Sequence, residues 1–101
     1  MKYYKVELTD KAKRDLYEIA NYYIESDLDY YAEKLLHRIY TRIAQLSILP
    51  LGYRRYEPDS TARYVTIKHY YIFYEINEGT NTVSILRIIH QKRDLRQIKF
   101  H

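Results

Sequence analysis

Apolar and polar residues alternate with a period of two over residues 3–8, 63–67, 70–77 and 82–90, and recur at a helical period between the first two of these stretches. The first alternation sets Tyr4, Val6 and Leu8 against Tyr3, Lys5 and Glu7, the pattern of a half-buried strand. The other three runs are dense in Val, Ile, Tyr and Phe, which suit a pleated and partly buried surface, and Glu78-Gly79-Thr80-Asn81 reads as the turn between the last two. Together these three predict a β-meander.

Between the first strand and the meander lie two helical stripes. Thr9 or Asp10 is placed to cap a helix whose apolar face is Ala12, Leu16, Ile19, Ala20 and Tyr23, while Lys11, Lys13, Arg14, Asp15 and Glu18 fall mostly on the wet side. Ser26-Asp27-Leu28-Asp29 interrupts that pattern and offers side-chain oxygens to a second N-terminus. Ala32, Leu35, Leu36, Ile39, Ile43 and Leu46 then continue in register and stop before Pro50. Two amphipathic helices with a short polar connection form an antiparallel hairpin that packs on one face of the sheet. The expected fold is α+β in two layers, ordered β-α-α-β-β-β, in one domain spanning residues 1–101. Residues 51–62 read as irregular, with Gly52, Pro58, Asp59 and Ser60 as turn residues.

Neither face of the predicted sheet is plainly polar. On the last strand Val83, Ile85, Arg87 and Ile89 should point one way and Ser84, Leu86, Ile88 and His90 the other; on the strand before it Tyr70, Ile72, Tyr74 and Ile76 oppose Tyr71, Phe73, Glu75 and Asn77. Apolar character on both faces calls for cover on both, and the helical hairpin supplies only one. The second face is expected to be completed by a partner, to serve as a working surface, or to stand as a tyrosine-rich, wetted face.

Composition narrows the classes. There is no cysteine, which excludes disulfides and thiolate metal sites. No apolar run approaches the roughly 18 residues of a membrane span, and Met1-Lys2-Tyr3-Tyr4 does not lead into a signal-peptide core, so a cytoplasmic protein with no membrane partner is expected. The net charge of +4 is carried entirely by the second half: residues 1–49 hold 8 basic and 8 acidic groups, residues 50–101 hold 9 and 5. A basic face of this kind suits nucleic acid or an acidic protein.

No Gly-rich phosphate loop and no G-x-S-x-G element is present, and His37, His69, His90 and His101 are scattered, so neither cofactor nor metal is expected. Tyr53-Arg54-Arg55-Tyr56 interleaves aromatic and guanidinium groups, a composition suited to stacking on bases and pairing with phosphates, or simply to a tyrosine-rich loop with solvated arginines. Arg87, His90, Lys92 and Arg93, with Arg63 and Lys68, form the second constellation. Cleavage of RNA by its own 2′-OH needs a proton acceptor, cations for the charge growing on phosphate, and a proton donor to the leaving oxygen. His90 can be the base or the acid there; equally, Arg87 and Arg93 can pair with acidic groups such as Glu75 and Asp94 while His90 closes the strand.

Four segments resemble the RelE/ParE superfamily of bacterial toxins from type II toxin–antitoxin modules: Leu8-Thr9-Asp10-Lys11-Ala12-Lys13-Arg14-Asp15-Leu16 after a short strand, a helical hairpin closing at Leu46 and Pro50, Tyr70-Tyr71-Ile72-Phe73-Tyr74-Glu75-Ile76, and the run from Ile85 through Arg87 and His90 to Asp94. The resemblance implies a small toxin neutralised by a cognate antitoxin in a toxin–antitoxin hetero-oligomer. It divides in mechanism. The ending Arg87-Ile88-Ile89-His90-Gln91-Lys92-Arg93-Asp94-Leu95 is similar to the ParE side, whose members poison DNA gyrase without a catalytic set; Arg54, Arg55, Arg63, Lys68, Arg87, His90, Lys92 and Arg93 are then target-binding candidates. The RelE side implies a ribosome-dependent endoribonuclease acting on mRNA, with Arg63, Lys68, Arg87, His90 and Arg93 as the catalytic group and His101 in the place of a C-terminal aromatic or histidine. A third reading is an inactive homologue that binds only its antitoxin and acts as a corepressor.

Overall fold

The computed structural model describes residues 3–57 and 59–101. A strand, β1 (Lys5–Leu8), leads into helices α1 (Asp10–Glu25) and α2 (Asp29–Gln45), and the chain then runs through β2 (Arg54–Tyr56), β3 (Asp59–Ile67), β4 (Tyr70–Asn77) and β5 (Thr82–His90). These strands form one sheet in the order β1-β5-β4-β3-β2, parallel between β1 and β5 and antiparallel elsewhere. The α+β order expected from the sequence is therefore present. β4 and β5 run over the residues that the alternation marked.

The meander has one strand more than its pattern announced. Residues 51–62, read as irregular, contain a 3-10 turn at Pro50–Gly52, all of β2, and the first residues of β3. β2 pairs Arg54 with Tyr64 and Arg55 with Arg63, so both of its arginines stand on the sheet and not in a loop. Their polar heads masked the alternation. Pro58, expected at a turn, lies outside the described residues, as do Met1 and Lys2.

The helical hairpin covers one face. Ala12, Leu16, Leu35, Ile39, Ile43 and Leu46 bury against Val65, Ile72, Tyr74, Val83, Ile85 and Ile88. Thr9 caps α1 by accepting the Ala12 N–H at 3.2 Å. The second helix starts differently from expectation: Leu28 occupies the cap position without a side-chain bond, Asp27 turns the chain at φ 59°, and Asp29 places a carboxylate in the first turn, where it complements the helix dipole. In the β4–β5 turn the left-handed position belongs to Asn81 (φ 51°), and Gly79 does not use its freedom.

The opposite face is covered from within the chain. Phe73, Leu86, Ile89 and Ala62 pack with Phe100, flanked by Leu95, Ile98 and Tyr56. Phe100 lies 4.7 Å from Phe73 and 5.4 Å from Tyr56, centroid to centroid. The C-terminal segment thus supplies the cover for which a partner or a working surface was expected, leaving Tyr64 and Tyr71 half-buried beside it.

Strict alternation on β5 also fails midway. The register between β4 and β5 slips at Phe73/Tyr74, so that Phe73 faces Arg87 while Tyr74 faces Ile85, and Leu86 is the extra residue of a β-bulge. Beyond it the faces exchange. Ile88 joins Val83 and Ile85 under the helices, and Ile89 joins Leu86 under the tail.

Candidate functional site

β1 ends at Leu8, paired with Ile85, so among the described residues the outer edge of β5 has no strand neighbour from Leu86 onward. Side chains of α1 take over its hydrogen bonding. The Thr9 hydroxyl reaches the carbonyls of Ile85 (2.8 Å) and Leu86 (3.1 Å), and the Asp15 carboxylate accepts the Ile88 N–H at 2.9 Å. The same carboxylate receives Arg87 through two prongs, Nε at 2.7 Å and an Nη at 2.9 Å, while the other Nη donates to the Lys99 carbonyl at 2.9 Å. All three nitrogens of Arg87 are committed. The hydrogen bonds to Asp15, more than any other influence, raise the Arg87 pKa above its ordinary value.

Asp15 is the residue that sequence reasoning misplaced. It was set mostly toward water, yet it is buried. Its signal was present: Ala12, Asp15, Leu16 and Ile19 stand at i, i+3, i+4 and i+7, so a carboxylate occupies one helix stripe with the core residues. Arg87 pairs with this group and not with Glu75, which instead lies 3.5 Å from His101. Asp94 pairs with Arg96, not Arg93, and that hydrogen bonding lowers its pKa.

At the end of β5, the Lys92 N–H donates to Nδ1 of His90 at 3.1 Å, which places the proton of the neutral ring on Nε2. The ring stands edge-on to Tyr70 at 5.1 Å and 6.1 Å from His69. A cleft of about 160 Å³ opens there, bounded by Asp15, Glu18, Tyr22, His90 and Arg93. Arg93 closes the turn through its N–H to the His90 carbonyl. Lys92 and Arg93 are exposed.

The remaining cations lie toward the other side of the sheet. Arg63 donates to the carbonyls of Tyr53 (2.9 Å) and Leu51 (3.3 Å), tying down the segment before β2. Lys68 holds the β3–β4 turn at φ 53° with its side chain exposed. Arg54, Tyr64, Phe73 and Arg87 succeed one another in register across β2, β3, β4 and β5, so Arg54 and Arg87 occupy opposite ends of one row, separated by two aromatic rings. Arg63 pairs with Tyr74 and shares the helix-covered face with it, whereas Arg87 faces Phe73. The suggested catalytic group is accordingly divided between the faces and edges of the sheet. Among the described residues no helix is long and apolar enough to cross a membrane.

The order of a short strand, a helical hairpin and an antiparallel meander matches the topology of the RelE/ParE toxins. Residues 6–95 match the family model described as the ParE toxin of the type II toxin–antitoxin system, parDE, and the chain belongs to that family. A solved chain from the chromosomal ParDE toxin–antitoxin system of P. aeruginosa is similar over 86% of this chain and 95% of its own, with TM-score 0.75 at 21% identity. A chain of the toxin–antitoxin complex RelBE2 from Mycobacterium tuberculosis is similar over 92% and 97%, with TM-score 0.63 at 22% identity. At these identities the likeness is one of fold. No curated protein matches the chain in sequence.

Proposed function

We propose that this toxin arrests growth as ParE-like proteins do, by binding DNA gyrase, and that a cognate antitoxin holds it inactive in a hetero-oligomer. The observation that carries this reading is the family match over residues 6–95. The commitment of Arg87 to Asp15 and Lys99 supports it, because the central cation of a ribonuclease site would have to leave a clasp to reach phosphate. Both solved relatives come from toxin–antitoxin systems, which supports an antitoxin partner. Lys92 and Arg93, exposed beyond β5, and Arg54, Arg55 and Lys68 are the candidate contacts to the target. The test is plasmid supercoiling by gyrase with purified toxin. Inhibition or trapped linear DNA is expected, and full supercoiling in the presence of a folded, growth-arresting chain would overturn the reading.

His90 favours a second reading. With Nδ1 accepting from Lys92 and its ring bordering a cleft beside Arg93, it is equipped to move a proton in ribosome-dependent mRNA cleavage. Cleavage of translated mRNA that disappears in H90A would establish this alternative. Failure of the chain to arrest growth would point to the antitoxin-binding corepressor.

A further inference from the structure

Lys34, Arg38 and Arg42 follow one another on α2 at intervals of four residues, which brings them to one flank of the helix about 6 Å apart along its axis. That flank borders three adjoining clefts. The narrowest, about 80 Å³, lies between Lys34, Arg38 and Lys68. Arg38 also lines the next, of about 340 Å³, and Arg42 is shared between that one and a wider cleft of about 500 Å³ that reaches Arg54. Among the described residues no aspartate or glutamate lines any of the three. Shared Arg38 and Arg42 join the three clefts into one track, along which Lys34, Lys68 and Arg54 are the other basic residues. None of Arg63, Arg87, His90 or Arg93 lines it.

The wide end differs from the rest in being aromatic. Tyr53, Tyr64 and Tyr71 line it, all of them half-buried, and Tyr64 and Tyr71 meet edge to face at 5.5 Å. Arg42 is already oriented there, lying 5.0 Å from the centre of the Tyr53 ring and donating to Gln45 at 3.0 Å and to the Tyr53 hydroxyl at 3.3 Å. Beyond Tyr64, β2 no longer covers the edge of β3, so the cleft opens beside Val65 and Thr66. At the opposite end Lys68, whose backbone angle (φ 53°) is one that side-chain-bearing residues adopt infrequently, lines the narrow cleft.

We infer that this track binds single-stranded nucleic acid, with the phosphates following Lys34, Arg38 and Arg42 and unpaired bases stacking at Tyr64 and Tyr71. Cations at regular spacing recruit a repeating anion, and tyrosine faces accept any base, the combination by which single strands are held without sequence preference. An acidic peptide would satisfy the cations but has less use for the rings. Strand binding and gyrase inhibition are read in separate assays, so either can fail alone.

The experiment is fluorescence anisotropy of labelled dT12 and U12 with the purified toxin at several salt concentrations. Saturable binding is expected, with log K falling against log salt at about −0.7 for each phosphate engaged. R38E should weaken it at least tenfold and flatten that slope, whereas R96E, an equal charge change on the exposed C-terminal segment, should leave it within about twofold. Y71L should lose about 5- to 100-fold while keeping the slope, as loss of a stacking face does. Preference between dT12 and U12 assigns the strand to DNA or RNA. Absence of saturable binding to both, equal binding by R38E and R96E, or a polyglutamate peptide that binds more tightly than either oligonucleotide would overturn the assignment.

Discussion

Asp15 on α1 and Arg87 on β5 are 72 residues apart in sequence and are joined by two hydrogen bonds of 2.7 and 2.9 Å, with the Ile88 N–H on the same carboxylate. Two of the segments that carry the family resemblance, the one ending in Asp15-Leu16 and the one containing Arg87-Ile88, thus meet as the two halves of one clasp. Breaking a largely buried pair strands a charge, so D15N and R87A should each destabilise the toxin by about 3–5 kcal/mol in urea denaturation. R87K, which keeps the charge but loses the fork, should fall between R87A and the parent chain. If R87A unfolds at the parent's urea midpoint, the clasp contributes nothing.

The tail should behave as part of the core. F100A removes the ring that rests on Phe73 and Tyr56 and is expected to cost about 2–4 kcal/mol. It should also raise binding of a hydrophobic dye by uncovering Leu86 and Ile89. A variant with unchanged stability and no added dye binding would mean that the segment rests on the sheet without holding it.

High pH offers a third check. Burial, the largest cause in both cases, raises the pKa of Tyr70 and Tyr74 above the ordinary 10.0, and the hydrogen bond with Tyr23 adds to the effect at Tyr70. The folded chain therefore holds these protons more tightly than the unfolded chain. Their contribution to stability is fully present below pH about 10 and is lost as the pH rises through the folded values. Absorbance near 295 nm should register the ionisation of these two only with alkaline unfolding. Y70F should flatten the stability loss above pH 10, and an unchanged profile would contradict the assignment.

Growth arrest by H90A separates the two mechanisms at low effort. Under gyrase binding, replacing one half-buried ring at the end of β5 should leave arrest intact or reduce it by less than about tenfold. A loss of a hundredfold or more, in a chain whose melting is unchanged, would place proton transfer at His90.

The strands were readable where local pattern and tertiary outcome agree. Tyr70–Asn77 and Thr82–His90 are so rich in β-branched and aromatic residues, and so clearly separated by a turn, that no distant contact was needed to locate them. β2 was hidden because its polarity makes sense only beside Arg63 and Tyr64. The bulge at Leu86 exchanged the faces of half a strand, and nothing local marks it. Cations could be named as candidates by type, but whether a guanidinium is engaged depends on partners far along the chain: Asp15 for Arg87, the Tyr53 carbonyl for Arg63. Counting charge by halves concealed the α2 stripe. The carboxylates that bring residues 1–49 to zero include none that lines the flank of Lys34, Arg38 and Arg42.

The parallel pairing of β1 with β5 also sets a schedule. Lys5–Leu8 is made first but has its partner in Thr82–Ile85, and the Thr9 hydroxyl waits for a carbonyl 76 residues later. Translation proceeds from the N-terminus, so the hairpin of helices exists for seconds before the strand that completes its core has been synthesised. A ribosome carrying most of this chain therefore carries no finished toxin.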